Sequence, residues 1–246
     1  MLTAGVDLAA EPKGTALALV EWTSASARVV DLQVGVSDEP IVEMASQVDK
    51  LGIDCALGWP KEFVNFVTQQ SDPTFASHDF DGGMAWRRSL AYRETDRHVR
   101  EVTGRWPLSV STDRLGLTAM RCAGLLTRLS ASGVGIDRSG SGLVTEVYPG
   151  ASLRLWGFNT SGYRTSEDLR ATLLGTLKAQ ATWLELGEYE ELMISSCDAF
   201  DAVIASIAAR AAAVGRTLPP NEDQVSTARV EGWVALPVGP LNTLNE

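Results

Sequence analysis

The sequence predicts an α/β protein with a mixed sheet flanked by helices, and three observations support this. Three β-type runs, LTAGVDLA, TALALVEW and ARVVDLQVGV, follow one another at the start, joined by short links carrying Pro12, Gly14 and Ser24. That spacing is the mark of an antiparallel meander. The run LGIDCAL is short and almost wholly apolar, as in a parallel strand buried on both faces. Between them lies EPIVEMASQVDK, with Ile41, Met44, Ala45 and Val48 at helical spacing. The resulting order is β-β-β-α-β.

The remaining elements follow in turn. Trp59-Pro60 ends the fourth strand, and residues 59–114 read as an insertion with helical pieces, turning at Gly82-Gly83 and placed to cap a site. LGLTAMRCAGLLTRLSA (115–131) reads as a helix, SGVGIDRSGSG as a turn region and LVTEVYP as a fifth strand. SEDLRATLLGTLKAQATWL reads as one long helix, capped by Ser166, with a stripe at Leu169, Leu173, Leu177 and Leu184. A last long helix starts at a Ser195 or Ser196 cap and is rich in alanine, which suits close packing on a sheet. EGWVALPVGP reads as a terminal strand or extended loop. With no internal repeat and no linker, residues 1–246 are expected to form a single domain around a five-stranded sheet.

Composition narrows the function classes. An apolar fraction of 45% with 21% charged residues argues for a globular chain and against disorder. A net charge of −10 argues against a broad basic surface for non-specific nucleic-acid binding, although RRSLAYRETDRHVREVTGR could supply a local basic groove. Cys55, Cys122 and Cys197 are far apart, with no zinc spacing, and read as free thiols in a reducing compartment. No basic leader and no membrane-length apolar run is visible, so the expectation is a cytoplasmic protein with no membrane partner.

The acids carry the chemistry. Asp7, Asp54 and Glu146 each interrupt or end a strand-like apolar run, and Asp198 and Asp201 open the last helix. A desolvated carboxylate is costly unless it is paired, hydrogen-bonded or bound to metal. Several together repel and need a cation to stay ionised. Asp198 and Asp201, three apart, share a helix face. Hard divalent cations take such oxygen ligands, and two of them about 4 Å apart can activate water and shield the leaving oxygen of a phosphodiester.

The strand order with acids on the first and fourth strands resembles the ribonuclease H-like fold, in which those two strands are neighbours. AGVDLA, GIDCALGWP, RETDRHVR, TEVYPGA, CDAFDAVIASIAARAA and EGWVALP, in this order, resemble the motifs of the family called domain of unknown function 429, described as predicted nucleases of that fold. The pair Asp198-x-x-Asp201 before an alanine-rich helix is locally similar to the end of RuvC-type resolvases. Such resolvases carry Glu on the fourth strand where this chain has Asp54. The resemblance implies a Mg²⁺ or Mn²⁺ site at Asp7, Asp54, Glu146, Asp198 and Asp201, with Asp7, Asp54 and Asp201 catalytic. It implies a substrate-facing rim of Arg93, Asp96, Arg97, Glu231 and Trp233, and structured or single-stranded nucleic acid as partner.

Each residue also has a structural reading. Asp7 could accept backbone hydrogen bonds after its strand, Asp54 could cap the turn at Gly58 and Pro60, and Glu146 could pair with Arg154. Asp198 suits a helix N-terminus. Arg93 and Asp96, one helical turn apart, could form only a surface pair, and His98 is expected to be exposed. His78 has no evident partner. Trp59, Trp86 and Trp233 read as core or rim packing. SGVGIDRSGSG lacks the lysine and hydroxyl of a phosphate-binding loop, and no Gly-x-Ser-x-Gly elbow is present. Two other functions stay open: an ATP-using phosphotransferase of actin-like type, which normally duplicates the fold, and a non-catalytic scaffold that keeps an acidic pocket.

Overall fold

The computed structural model describes residues 1–72, 74 and 80–245. The meander forms as β1 (Leu2–Asp7), β2 (Ala16–Trp22) and β3 (Ala27–Val34), each antiparallel to the next. Helix α1 (Asp38–Ala45) then carries the chain across to β4 (Lys50–Asp54), which lies parallel to β1. The helix is shorter than its apolar pattern suggested, and Lys50 already belongs to the strand. The Lys50 ammonium donates to the carbonyls of Gly140 (2.7 Å) and Gly142 (2.5 Å), so the SGSG turn is held by a lysine from below. Strand β5 (Val144–Glu146) pairs in parallel with β4.

The sheet has six strands, in the order β5-β4-β1-β2-β3-β6, not the five expected. The extra strand, β6 (Leu184–Glu185), pairs in parallel with Ala27 and Arg28 at the outer edge of β3. Helix α7 (Glu167–Gln180), expected to run to Leu184, stops four residues earlier. Its C-cap Ala181 bonds back to Leu177, and the Trp183 carbonyl accepts the Ala27 N–H, which turns the chain into the sheet. Leu184 is therefore buried as a strand residue, whereas Leu169 at the other end of the stripe is exposed. Ser166 caps α7, accepting the Leu169 N–H at 3.3 Å, as expected.

Helices cover both faces. One face packs against α6 (Pro149–Leu155), α7, α8 (Glu190–Ser195) and α9 (Cys197–Ala213). The other packs against α1 and α5 (Gly116–Ala131) through Val6, Ile53, Ile41 and Leu125. Helix α9 lies nearly on the backbone of β1 and β4. A Cβ on Gly5 would stand 2.1 Å from the Ser206 nitrogen, and one on Gly52 would stand 2.7 Å from the Ala205 carbonyl. Glycine in the strands and alanine in the helix are what this separation requires. The contact is sealed by a buried chain of hydroxyls: Thr3 bonds Ser206 at 2.8 Å, and Trp22 donates to Thr3 at 2.8 Å.

The expected insertion contains α2 (Lys61–Gln70), α3 (Met84–Ala91) and α4 (Glu94–Thr103). His78 lies outside the described residues. Helix α10 (Val225–Glu231) packs against α2 and α4. The chain after it runs extended, with a parallel bridge between Glu146 and Val234 and an antiparallel one between Thr217 and Pro237. Among the described residues no helix is long and apolar enough to cross a membrane.

Candidate functional site

The register of β1 and β4 places Asp7 directly opposite Asp54, at the C-terminal ends of two parallel strands. Side chains alternate along a strand, so Thr3, Gly5 and Asp7 share the face covered by α9. The helix starts at Ser196, whose hydroxyl accepts the Ala199 N–H at 3.1 Å. Asp198 therefore falls in the first turn, and Asp201 lies one turn deeper, over the same strand ends. The close approach allowed by Gly5 and Gly52 brings the Asp201 carboxylate to the sheet. Asp7, Asp54, Asp198, Glu146, Arg114 and Arg164 line one cavity of about 420 Å³.

The four aspartates are unequally supplied with partners. Asp201 is 1% exposed; it accepts the Tyr163 hydroxyl at 2.8 Å and pairs with Arg164 at 2.8 Å. Asp54 reaches the same Arg164 at only 3.7 Å. Among the described residues no side chain or N–H donates a hydrogen bond to the Asp7 carboxylate, and no cation pairs with Asp7 or Asp198. Burial, then the neighbouring Asp54, Asp201 and Asp198, push the Asp7 carboxyl well above the usual range, and Arg164 only partly offsets this. Burial raises Asp54 to about 7, against Arg164 and with Asp201 and Glu146 adding to it. Asp198 and Asp201 are also raised by burial despite Arg164. Without a further cation this group holds protons that isolated carboxylates release.

The donor set suits a hard divalent cation: carboxylate oxygens from three elements, with Asp7 unbonded. The arrangement is nevertheless not a ready cage. Among the described residues no group of three or more His, Cys, Asp or Glu side chains is placed to hold a metal ion. Arg164 instead bridges Asp54 and Asp201.

Glu146 belongs to a different centre. Its Oε1 accepts Arg93 at 2.7 Å, and its Oε2 accepts Arg93 at 2.8 Å and the Leu57 N–H at 3.0 Å. Arg93 also forks onto Asp96 and donates to the Glu231 carbonyl at 3.1 Å. Arg93 is 4% exposed and Asp96 1%, so the expected surface pair is a buried ion triad, and Glu146 pairs with Arg93 in place of Arg154. A low dielectric makes such a triad stable only when every charge is matched.

Glu231 completes this centre from α10. One carboxylate oxygen accepts the Lys61 N–H at 2.7 Å and the other the Glu94 N–H at 2.8 Å, capping α2 and α4 together. Both are first-turn amides that a helix cannot satisfy itself. Gly232, at φ 93°, follows because a Cβ there would stand 2.6 Å from Glu146 Oε2. Trp233 is buried, donates its indole N–H to Leu218 and stacks on His98, with centroids 5.0 Å apart. His98, expected to be exposed, is half-buried by that stacking. Of the five residues expected on the rim, Arg97 alone is exposed. RETD, TEVYPG and EGW therefore meet as a buried knot, whose Arg93, Asp96 and Glu146 form part of the wall of the acidic cavity.

Sequence reasoning missed Tyr163, Arg164 and Arg114. The first two sit in a Gly/Ser/Thr turn just before the Ser166 cap, where an arginine reads as solvent-facing. The cysteines are free, as expected, with Cys122 buried and the other two half-buried. The Cys55 thiol, beside Asp54, has its pKa raised by a hydrogen bond with Cys122 and by burial.

The family model described as "Protein of unknown function (DUF429)" matches residues 5–225, and the chain belongs to that family. No curated protein and no solved structure matches the chain.

Proposed function

We propose that this DUF429 protein is a divalent-metal-dependent phosphodiesterase, ribonuclease H-like in its sheet, acting on nucleic acid through Asp7, Asp54 and Asp201. One observation carries the reading. Two parallel strand ends present facing carboxylates, a third arrives from α9, and the Asp7 carboxylate has no protein partner among the described residues. The neighbouring strands β1 and β4 are also what the resemblance to the ribonuclease H-like fold implies. Bound Mg²⁺ or Mn²⁺ would activate water and neutralise charge on the leaving oxygen.

The chain's own residues divide the remaining work. Asp7, Asp54 and Asp201 would hold the cation, Asp7 being the one without a protein partner among the described residues. Asp198, in the first turn of α9 and partly exposed, stands at the edge of the set. Glu146 stays with Arg93 and acts by fixing the end of β5. Tyr163 holds the Asp201 carboxylate in orientation through Oδ1. Arg114, exposed on the cavity wall, is placed to meet a phosphate.

A second reading, a non-catalytic acidic pocket, is favoured by Arg164, which already neutralises part of the cluster. Incubation with single-stranded and branched nucleic acids in Mn²⁺ separates the two. Cleavage that Asp7→Asn lowers at least about 100-fold, the scale of losing one transition-state electrostatic contact, supports the phosphodiesterase. Full activity in that variant would sink the assignment, and Mn²⁺ binding without cleavage would favour the pocket.

A further inference from the structure

We infer that Arg164 is an exchangeable counter-cation of the acidic site: its guanidinium holds the place that a divalent cation takes, and the cation binds by displacing it. The inference rests on the metal-dependent reading above and adds to it the side chain that controls entry.

Three observations carry it. The first is position. Arg164 Nη2 stands 2.8 Å from Asp201 Oδ2 and 3.7 Å from Asp54 Oδ2, so one guanidinium spans carboxylates from α9 and β4. Asp7 is left out of this pairing, although it lies opposite Asp54 in the same cavity. A divalent ion carries twice the charge and can take Asp7 as well, which gives it the advantage over the guanidinium.

The second is exposure. The Arg164 side chain is 52% exposed, while that of Asp201 is 1% exposed. The carboxylate is fixed and its partner has a path to solvent. Arg164 sits in the turn between α6 and α7, so its release moves no helix. Arg93 shows the opposite case: it is 4% exposed and bound by Asp96, Glu146 and the Glu231 carbonyl. One arginine is built in and the other is held at the surface.

The third is what remains when Arg164 leaves. Tyr163 donates to Asp201 Oδ1 at 2.8 Å, whereas Arg164 occupies Oδ2. Departure of the guanidinium thus leaves Oδ2 with only the long Cys197 thiol contact at 3.8 Å, open to a cation, while the tyrosine keeps the carboxylate in place. Its Nε contact with the Tyr163 hydroxyl, at 3.2 Å, and its longer contact with Asp54 are lost as well. A freed guanidinium on the cavity lip matches a phosphate oxygen pair, so leaving the acids does not strand the charge.

Competition predicts that removing Arg164 strengthens metal binding. Calorimetric titration of Mn²⁺ into wild type, Arg164→Gln and Arg164→Lys measures this. Arg164→Gln should bind on the order of tenfold tighter, the change expected when about 1.4 kcal/mol of competition is removed. Arg164→Lys, keeping a cation on a similar stem, should stay near wild type. The wild-type protein gives a readout without any variant: saturating Mn²⁺ should increase phenylglyoxal labelling of Arg164, read by peptide mass spectrometry. Equal Mn²⁺ affinity in wild type and Arg164→Gln, with unchanged labelling, overturns the displacement and leaves the metal reading standing. Absence of Mn²⁺ binding in Arg164→Gln overturns both.

Discussion

Two groups of buried or half-buried carboxylates lie side by side in this protein, and they are neutralised in opposite ways. In the knot, Glu146, Asp96 and Glu231 are matched by Arg93 and by backbone amides of α2, α4 and the Leu57 turn. In the cavity, one half-exposed arginine pairs with Asp54 and Asp201, and among the described residues no cation pairs with Asp7 or Asp198. The strand ends are adjacent: Glu146 is paired with Ile53, next to Asp54. Burial of an acid therefore does not by itself mark a functional site. What separates the two groups is whether the chain supplies its own partner or leaves the position to something else.

The sharpest way to break the comparison is to remove the partner in the knot. Arg93→Met keeps much of the volume and leaves Glu146 and Asp96 buried without a cation. The expected loss is about 3–5 kcal/mol of folding stability, measured by urea denaturation. A loss below about 1 kcal/mol, the scale of an exposed pair, would mean that the knot is not built around this ion triad.

The same kind of change in the cavity should have the opposite sign. Asp7→Asn removes one of several repelling charges at nearly constant size. In chelator, the variant should be more stable than wild type, because burial and the neighbouring Asp54, Asp201 and Asp198 work against the ionised Asp7 carboxyl. Added Mn²⁺ should stabilise wild type and not the variant. A destabilised Asp7→Asn would place Asp7 with the structural acids and remove the contrast.

How much of this was legible in the sequence follows from the range of the interactions. The meander, the β4 strand and the positions of Asp7, Asp54 and Asp201 could be read because strand period and burial of an acid are local signals. The two-residue β6 was hidden because Leu184 continues a helical spacing that the chain abandons at Ala181. Arg93 was misplaced because its partners, Glu146 and Glu231, lie 53 and 138 residues away. Nothing local distinguishes an arginine that will be buried from one that will be solvated. Arg164 was missed for the converse reason: it sits in a turn where a charge looks ordinary, and only the fold brings it to Asp201. RETD, TEVYPG and EGW read in the sequence as parts of an active rim, and the structure adds what no local signal carries: Glu231 ties the first turns of α2 and α4 together beside the Arg93–Glu146 pair.

The smallest expected effect is a pH slope, and its sign tests the same contrast. Asp54 titrates near 7 in the folded protein because burial outweighs the help of Arg164, with Asp201 and Glu146 adding repulsion. An unfolded aspartate titrates near 4. Between those values the metal-free folded state holds a proton that the unfolded state has released. Its stability therefore falls as pH rises through that window, by no more than about 1.4 kcal/mol per pH unit for one proton. Half-buried His98, lowered by burial against the pull of Glu101, works the other way, so the informative quantity is the difference between wild type and Asp54→Asn. In chelator that difference should grow in favour of the variant from pH 4 to 7. With Mn²⁺ present it should reverse, because the metal competes with the proton and gains as the carboxyl ionises. A difference that stays flat in chelator would show Asp54 to be adequately neutralised by Arg164, and the cavity would then be a second satisfied group of acids.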